Sequence, residues 1–66
     1  MLEYTKTVLK KVSFDNDLFN KELSKSIKWL EENDIHELKR WVIENYYHIH
    51  KDIINSIFHE YELKAV

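Results

Sequence analysis

Four histidines, His36, His48, His50 and His59, are the side chains best suited to chemistry in this chain. Neutral imidazole is a common metal ligand. On a helix, Glu44, His48 and Asp52 share one face at i,i+4 spacing, and His59 continues it. His48 and His50 point apart on a helix, so they chelate together only if residues 48–50 form a loop. A metal site needs three or four convergent ligands, themselves held by outer hydrogen bonds. The pattern reads first as a solvated polar face, and no metal or cofactor is expected. Ser56 lies one turn before His59 and Glu60, a spacing that would suit an activated hydroxyl. Helical repetition generates it by chance, and no oxyanion-stabilising group accompanies it in so short a chain. The expectation is a protein that is not an enzyme.

These side chains need elements to position them. Glycine and proline are both absent from the 66 residues. Tight hairpins and phosphate-cradling loops depend on the positive φ that glycine supplies, so a helix-rich chain with short polar turns is indicated. Cysteine is also absent, which removes disulfides and thiolate sites and fits a reducing compartment. A chain this short is one domain. Its thin core usually needs a disulfide, a metal or a partner subunit.

The expected fold is all-α, a small three- or four-helix bundle or orthogonal bundle, with helices near residues 2–12, 16–32, 35–47 and 50–61. In the first, Leu2, Thr5, Val8, Leu9 and Val12 recur at helical spacing. Asp15 is placed to cap the second, with Phe14 and Phe19 at the positions of a hydrophobic staple. Phe19, Leu23, Ile27 and Leu30 form the inner stripe of that helix, with Leu18 and Trp29 beside it. Asp34 and Glu37 match a capping box for the third. Leu38, Val42, Tyr46 and Ile49 are its stripe, which Ile53 and Ile57 continue in phase. That continuity allows one helix from Asp34 to about Tyr61. The run from Tyr46 to His50 is a poor helix former, and a turn near residues 48–51 is favoured. The tail from Glu62 is expected to fray.

Formal net charge is −2 at pH 7. Residues 1–28 carry six lysines against four carboxylates, and the remainder carries four basic residues against eight carboxylates. Neither half has the strongly basic footprint of a nucleic-acid binder. The nearest approach is a patch of Lys6, Lys10, Lys11, Lys21, Lys25 and Lys28 should the first two helices align. A small nucleic-acid-associated regulator is therefore the alternative reading. No apolar run reaches the length of a membrane span, and the N-terminus lacks the apolar core of a signal peptide. The expected location is the cytoplasm, away from membranes.

Of the nine aromatics, Phe14, Phe19, Tyr46 and Phe58 are most simply core. Trp29 and Trp41 sit off the main stripes, and Ile43, Tyr47, Ile54 and Phe58 form a second apolar strip. Surplus apolar faces of this kind anchor protein contacts. The candidate interface is Leu18, Trp29, Trp41, Ile43, Tyr47, Ile54 and Phe58, used by a protein–protein interaction, adaptor or regulatory module that docks on a partner or self-associates as a homodimer.

Tyr4-Thr5-Lys6, Val8-Leu9, Lys11-Val12-Ser13-Phe14-Asp15, Leu18-Phe19 and Lys21-Glu22-Leu23 resemble the opening of a group of short, uncharacterised bacterial proteins. The resemblance covers the first half of the chain well and the second half loosely, with Trp41 and Phe58 as counterparts of an aromatic pair. Members of the group place Phe-Gly near Tyr46-Tyr47, where this chain has no glycine. The resemblance implies a small helical protein and brings no activity or ligand.

Overall fold

The computed structural model describes residues 2–64, which form three helices and no strand: α1 (Leu2–Val12), α2 (Asn16–Trp29) and α3 (Glu32–Lys64). Lys10 and Lys11 occupy the last turn of α1, where cations suit the helix dipole. The chain leaves α1 through a tight turn in which the Asp15 N–H donates to the Val12 carbonyl at 3.0 Å. Asp15 is extended (φ −121°, ψ 116°) and caps α2, its carboxylate accepting from the Leu18 N–H at 3.1 Å. The staple does not form: Phe14 is 83% exposed and Phe19 fully buried.

The second turn falls earlier than the sequence spacing suggests. α2 stops at Trp29, Leu30 turns extended (φ −83°, ψ 151°), and α3 begins at Glu32. The Ile35 N–H donates to the Glu31 carbonyl at 2.9 Å, so Asp34 lies within the first turn of α3 and does not cap it. Charge explains the shift. Glu31, Glu32 and Asp34 are stabilised at a helix N-terminus and would be repelled at a C-terminus. Lys28 remains behind as the last basic residue of α2.

α3 bends at a single residue, His50 (φ −121°, ψ 35°). A straight helix of its 33 residues would be about 50 Å long, and the longest dimension of the molecule is 32 Å. Residues 32–49 and 51–64 are thus two arms folded toward each other. Lys39 of one meets Glu62 of the other at 2.5 Å, and its ammonium lies 5.8 Å from the Phe58 ring. The tail is helical through Lys64, with Glu62 held in this pair; Ala65 and Val66 lie outside the described residues.

The bend also resets the helical phase. Leu38 and Val42 are buried before it, and Ile54 and Phe58 after it. The expected continuation through Ile49, Ile53 and Ile57 gives way: Ile49 is 56% exposed, and Ile53 and Ile57 pack only at the edge of the core. Leu9, Phe19, Leu23, Leu30 and Ile35 complete the buried cluster.

Candidate functional site

The histidines separate. His36, His48 and His59 are exposed, whereas His50 is only 3% exposed. Its ring stacks on Phe19 (centroids 4.2 Å apart, planes at 17°), and its Nε2 lies 2.6 Å from the Ser13 carbonyl oxygen. A carbonyl only accepts, so Nε2 carries the proton and donates. His50 therefore ties the α1–α2 turn to the bend of α3. Its Nδ1 is buried and has no hydrogen-bond partner among the described residues. The reading of His50 as an ordinary surface histidine is thus corrected. The signal was present in its place in the series Leu38, Val42, Tyr46, His50, Ile54, Phe58, which steps by four residues along the buried side.

His48 and His50 do not come together, and among the described residues no group of three His, Asp or Glu is arranged to hold a metal ion. Ser56 and His59 both line an open cleft of about 490 Å³ between the arms of α3, with Lys39 and Glu62 on its rim. No hydrogen bond joins Ser56 to His59 or Glu60 among the described residues.

The candidate interface residues divide by burial. Ile54 and Phe58 are 1% and 3% exposed, turned inward by the fold-back of α3, so neither is available to a partner. Trp41 is partly buried, edge-on to Tyr46 with centroids 5.4 Å apart. Tyr47 is also partly buried, its hydroxyl accepting from the Asn55 amide at 3.1 Å. Ile43 is exposed at the lip of the inter-arm cleft. Leu18 and Trp29 remain on the surface, Trp29 at 71%.

Trp29 stands beside a residue the sequence reading had not singled out. Tyr4 is 70% exposed, and with Val8 it lines a groove of about 240 Å³ whose other wall is Glu22, Lys25, Ser26, Trp29 and Leu30. The two walls follow helical spacing. Tyr4, Val8 and Lys11 recur at i, i+4, i+7 along α1, and Leu18, Glu22, Lys25 and Trp29 at i, i+4, i+7, i+11 along α2. The α1–α2 hairpin thus presents an outer face with Tyr4, Leu18 and Trp29 exposed on it, and Phe14 exposed at its closed end. Tyr4 was missed because its i+4 neighbour Val8 reads as core; Val8 is only half-buried.

The six lysines do not form one patch. Lys6 pairs with Glu3 at 3.5 Å and lies 5.8 Å from the Trp41 ring, on the side of α1 turned toward α3. Lys21, Lys25 and Lys28 are exposed along α2 and make no ion pair among the described residues.

No protein-family model, curated protein or solved structure matches the chain. Among the described residues no helix is long and apolar enough to cross a membrane.

Proposed function

We propose that this chain is a non-enzymatic protein–protein interaction module that works through the outer face of its α1–α2 hairpin. The observation that carries this reading is the pair Tyr4 and Trp29, each about 70% exposed on opposite walls of one groove. Large aromatics held in water on a rigid element are the residue types that dominate interface energetics. Away from this hairpin the exposed large apolar residues are Ile43, Ile49 and Leu63, none of them aromatic. Support for the face comes from α2, whose Phe19 and Leu23 are fully buried in the shared core, so that little ordering is needed on binding.

Photo-crosslinking in the producing cell tests the reading. A photoreactive phenylalanine replacing Trp29 should capture a defined protein, and the same residue replacing the exposed Glu60 should not. Capture at position 29 no different from that at position 60 would sink the proposal.

The nucleic-acid reading has less support. Lys6 is turned away from Lys21, Lys25 and Lys28, and Glu22 sits in the wall of the groove, where it would repel phosphate.

A further inference from the structure

We infer that the occupant of the α1–α2 groove is an acidic amphipathic helix supplied by a partner protein. This rests on the interaction-module reading and adds the chemistry of what binds. The first ground is shape. Two parallel rows of side chains at helical pitch, with an apolar floor between them, form the kind of receptor into which a helix lays residues i, i+3 or i+4, and i+7. The groove lining runs from Glu22 to Leu30, about 12 Å or two helical turns.

The second ground is charge. Lys25 stands in the groove wall, and Lys21 and Lys28 stand on the adjoining flank of the same helix. All three are exposed and none has a carboxylate partner among the described residues. Lys11 carries the same sign on the α1 row. Glu22 is the one acid of the groove lining and is half-buried. A helix with carboxylates beside its apolar stripe would give these lysines the partners the fold withholds. Such complementarity fixes register and speeds encounter more than it deepens affinity.

The same charges weigh against a second copy meeting this face. A twofold contact uses the same patch on both copies, so two faces of net positive charge (Lys11, Lys21, Lys25 and Lys28 against Glu22) would be brought together. An anionic membrane or duplex would tolerate the lysines but has no side chains at helical pitch to lay between the two rows.

A library of random peptides about 16 residues long, enough to span the groove, is selected against the whole chain. The Trp29→Ala protein serves for counter-selection. Enriched sequences should be helical, apolar at i, i+3/i+4 and i+7, and rich in Asp or Glu beside that stripe. For an enriched peptide, Trp29→Ala should weaken binding about tenfold or more. Lys25→Glu should weaken it about fivefold, and the Lys25 effect should shrink between about 50 and 300 mM salt. Both positions are exposed, so both variants keep the fold, which circular dichroism checks. Enrichment of basic or extended sequences that still need Trp29 would overturn the acidic helix and leave the module reading standing. A Trp29-dependent dimer of the chain alone would overturn it in favour of a second copy. Trp29-dependent binding of a DNA duplex or of phosphatidylserine vesicles, with no peptide enriched, would overturn it and the module reading together.

Discussion

His50 and Trp29 exchange the roles their residue types suggest: a polar ring is packed inside and a large apolar one stands in water. His50 donates to the Ser13 carbonyl, stacks on Phe19, and occupies the one non-helical position within α3. Removing it opens a cavity at the bend and leaves the Ser13 carbonyl without that donor. His50→Ala should therefore cost about 2–4 kcal/mol, a fall in Tm of more than about 10 °C for a domain of this size, read by thermal circular dichroism. His50→Phe keeps the stack and loses only the hydrogen bond, so its loss should be clearly smaller. Equal losses would mean that the hydrogen bond to Ser13, and not the stacked ring, carries the contribution. Phe19, fully buried under the same ring, sets the other limit. Phe19→Ala should cost about 3–5 kcal/mol, comparable with the roughly 3–10 kcal/mol that holds a chain of this length. Tyr4→Ala and Trp29→Ala should change stability by less than about 0.5 kcal/mol, because the folded state leaves those rings largely in water. Burial of His50 was hard to read in the sequence, since its neighbours His48 and Lys51 are polar and the turn there left the phase undefined. The exposure of Trp29 was easier, because it falls off the stripe of Phe19, Leu23 and Ile27.

Elements are where the sequence was most legible, since caps and dipoles are local. Ser13, Asn16 and Asp17 are capping residue types too, and Asp15 is the one that caps α2. Asp15→Ala should cost about 1 kcal/mol. Asp15→Asn, which keeps an acceptor for the Leu18 N–H, should cost less, as denaturant midpoints would show. The α2–α3 boundary was misplaced because Asp34-x-x-Glu37 is a valid capping pattern locally. It loses to the run Glu31, Glu32 and Asp34, which favours a helix start three residues sooner. The fold-back of α3 depends on contacts 23 residues apart, which no local pattern reveals. One of those contacts reports on itself through pH. The hydrogen bond from Lys39, and then its charge, hold the Glu62 carboxyl below its ordinary 4.5. A carboxyl lowered on folding stabilises the fold above that ordinary value, and the contribution is lost as pH falls through the lowered one. Glu62→Gln should thus lower Tm slightly at neutral pH, and the difference from the parent should shrink as the pH is taken down through the lowered pKa. Because the pair is exposed, about 0.5 M salt should erase most of the difference. A difference that persists in acid would show that the Glu62 side chain acts by packing alone.

At the scale of the whole molecule, the question is whether so short a chain folds alone or needs a second copy to complete its core. Domains of this length bury only about 60% of their unfolded surface, and the expectation of a self-associating module grew from apolar strips with nothing to cover them. The bend at His50 removes most of that need. It turns Ile54 and Phe58 inward, and Leu9, Phe19, Leu23, Leu38 and Val42 are each fully buried within one chain. The apolar surface that remains is divided between the α1–α2 face, the isolated Ile43, Ile49 and Leu63, and the rims of open clefts. The buried core and the proposed contact face are therefore different residues, and the proposal predicts that folding does not depend on the second. For an obligate dimer, unfolding is coupled to dissociation and the midpoint rises with protein concentration. Here Tm should stay constant from about 5 to 200 µM chain, for the parent and for Trp29→Ala alike. A midpoint that climbs with concentration in the parent and not in Trp29→Ala would show that the hairpin face contributes to folding through a second copy, and the separation of core from contact face would fail.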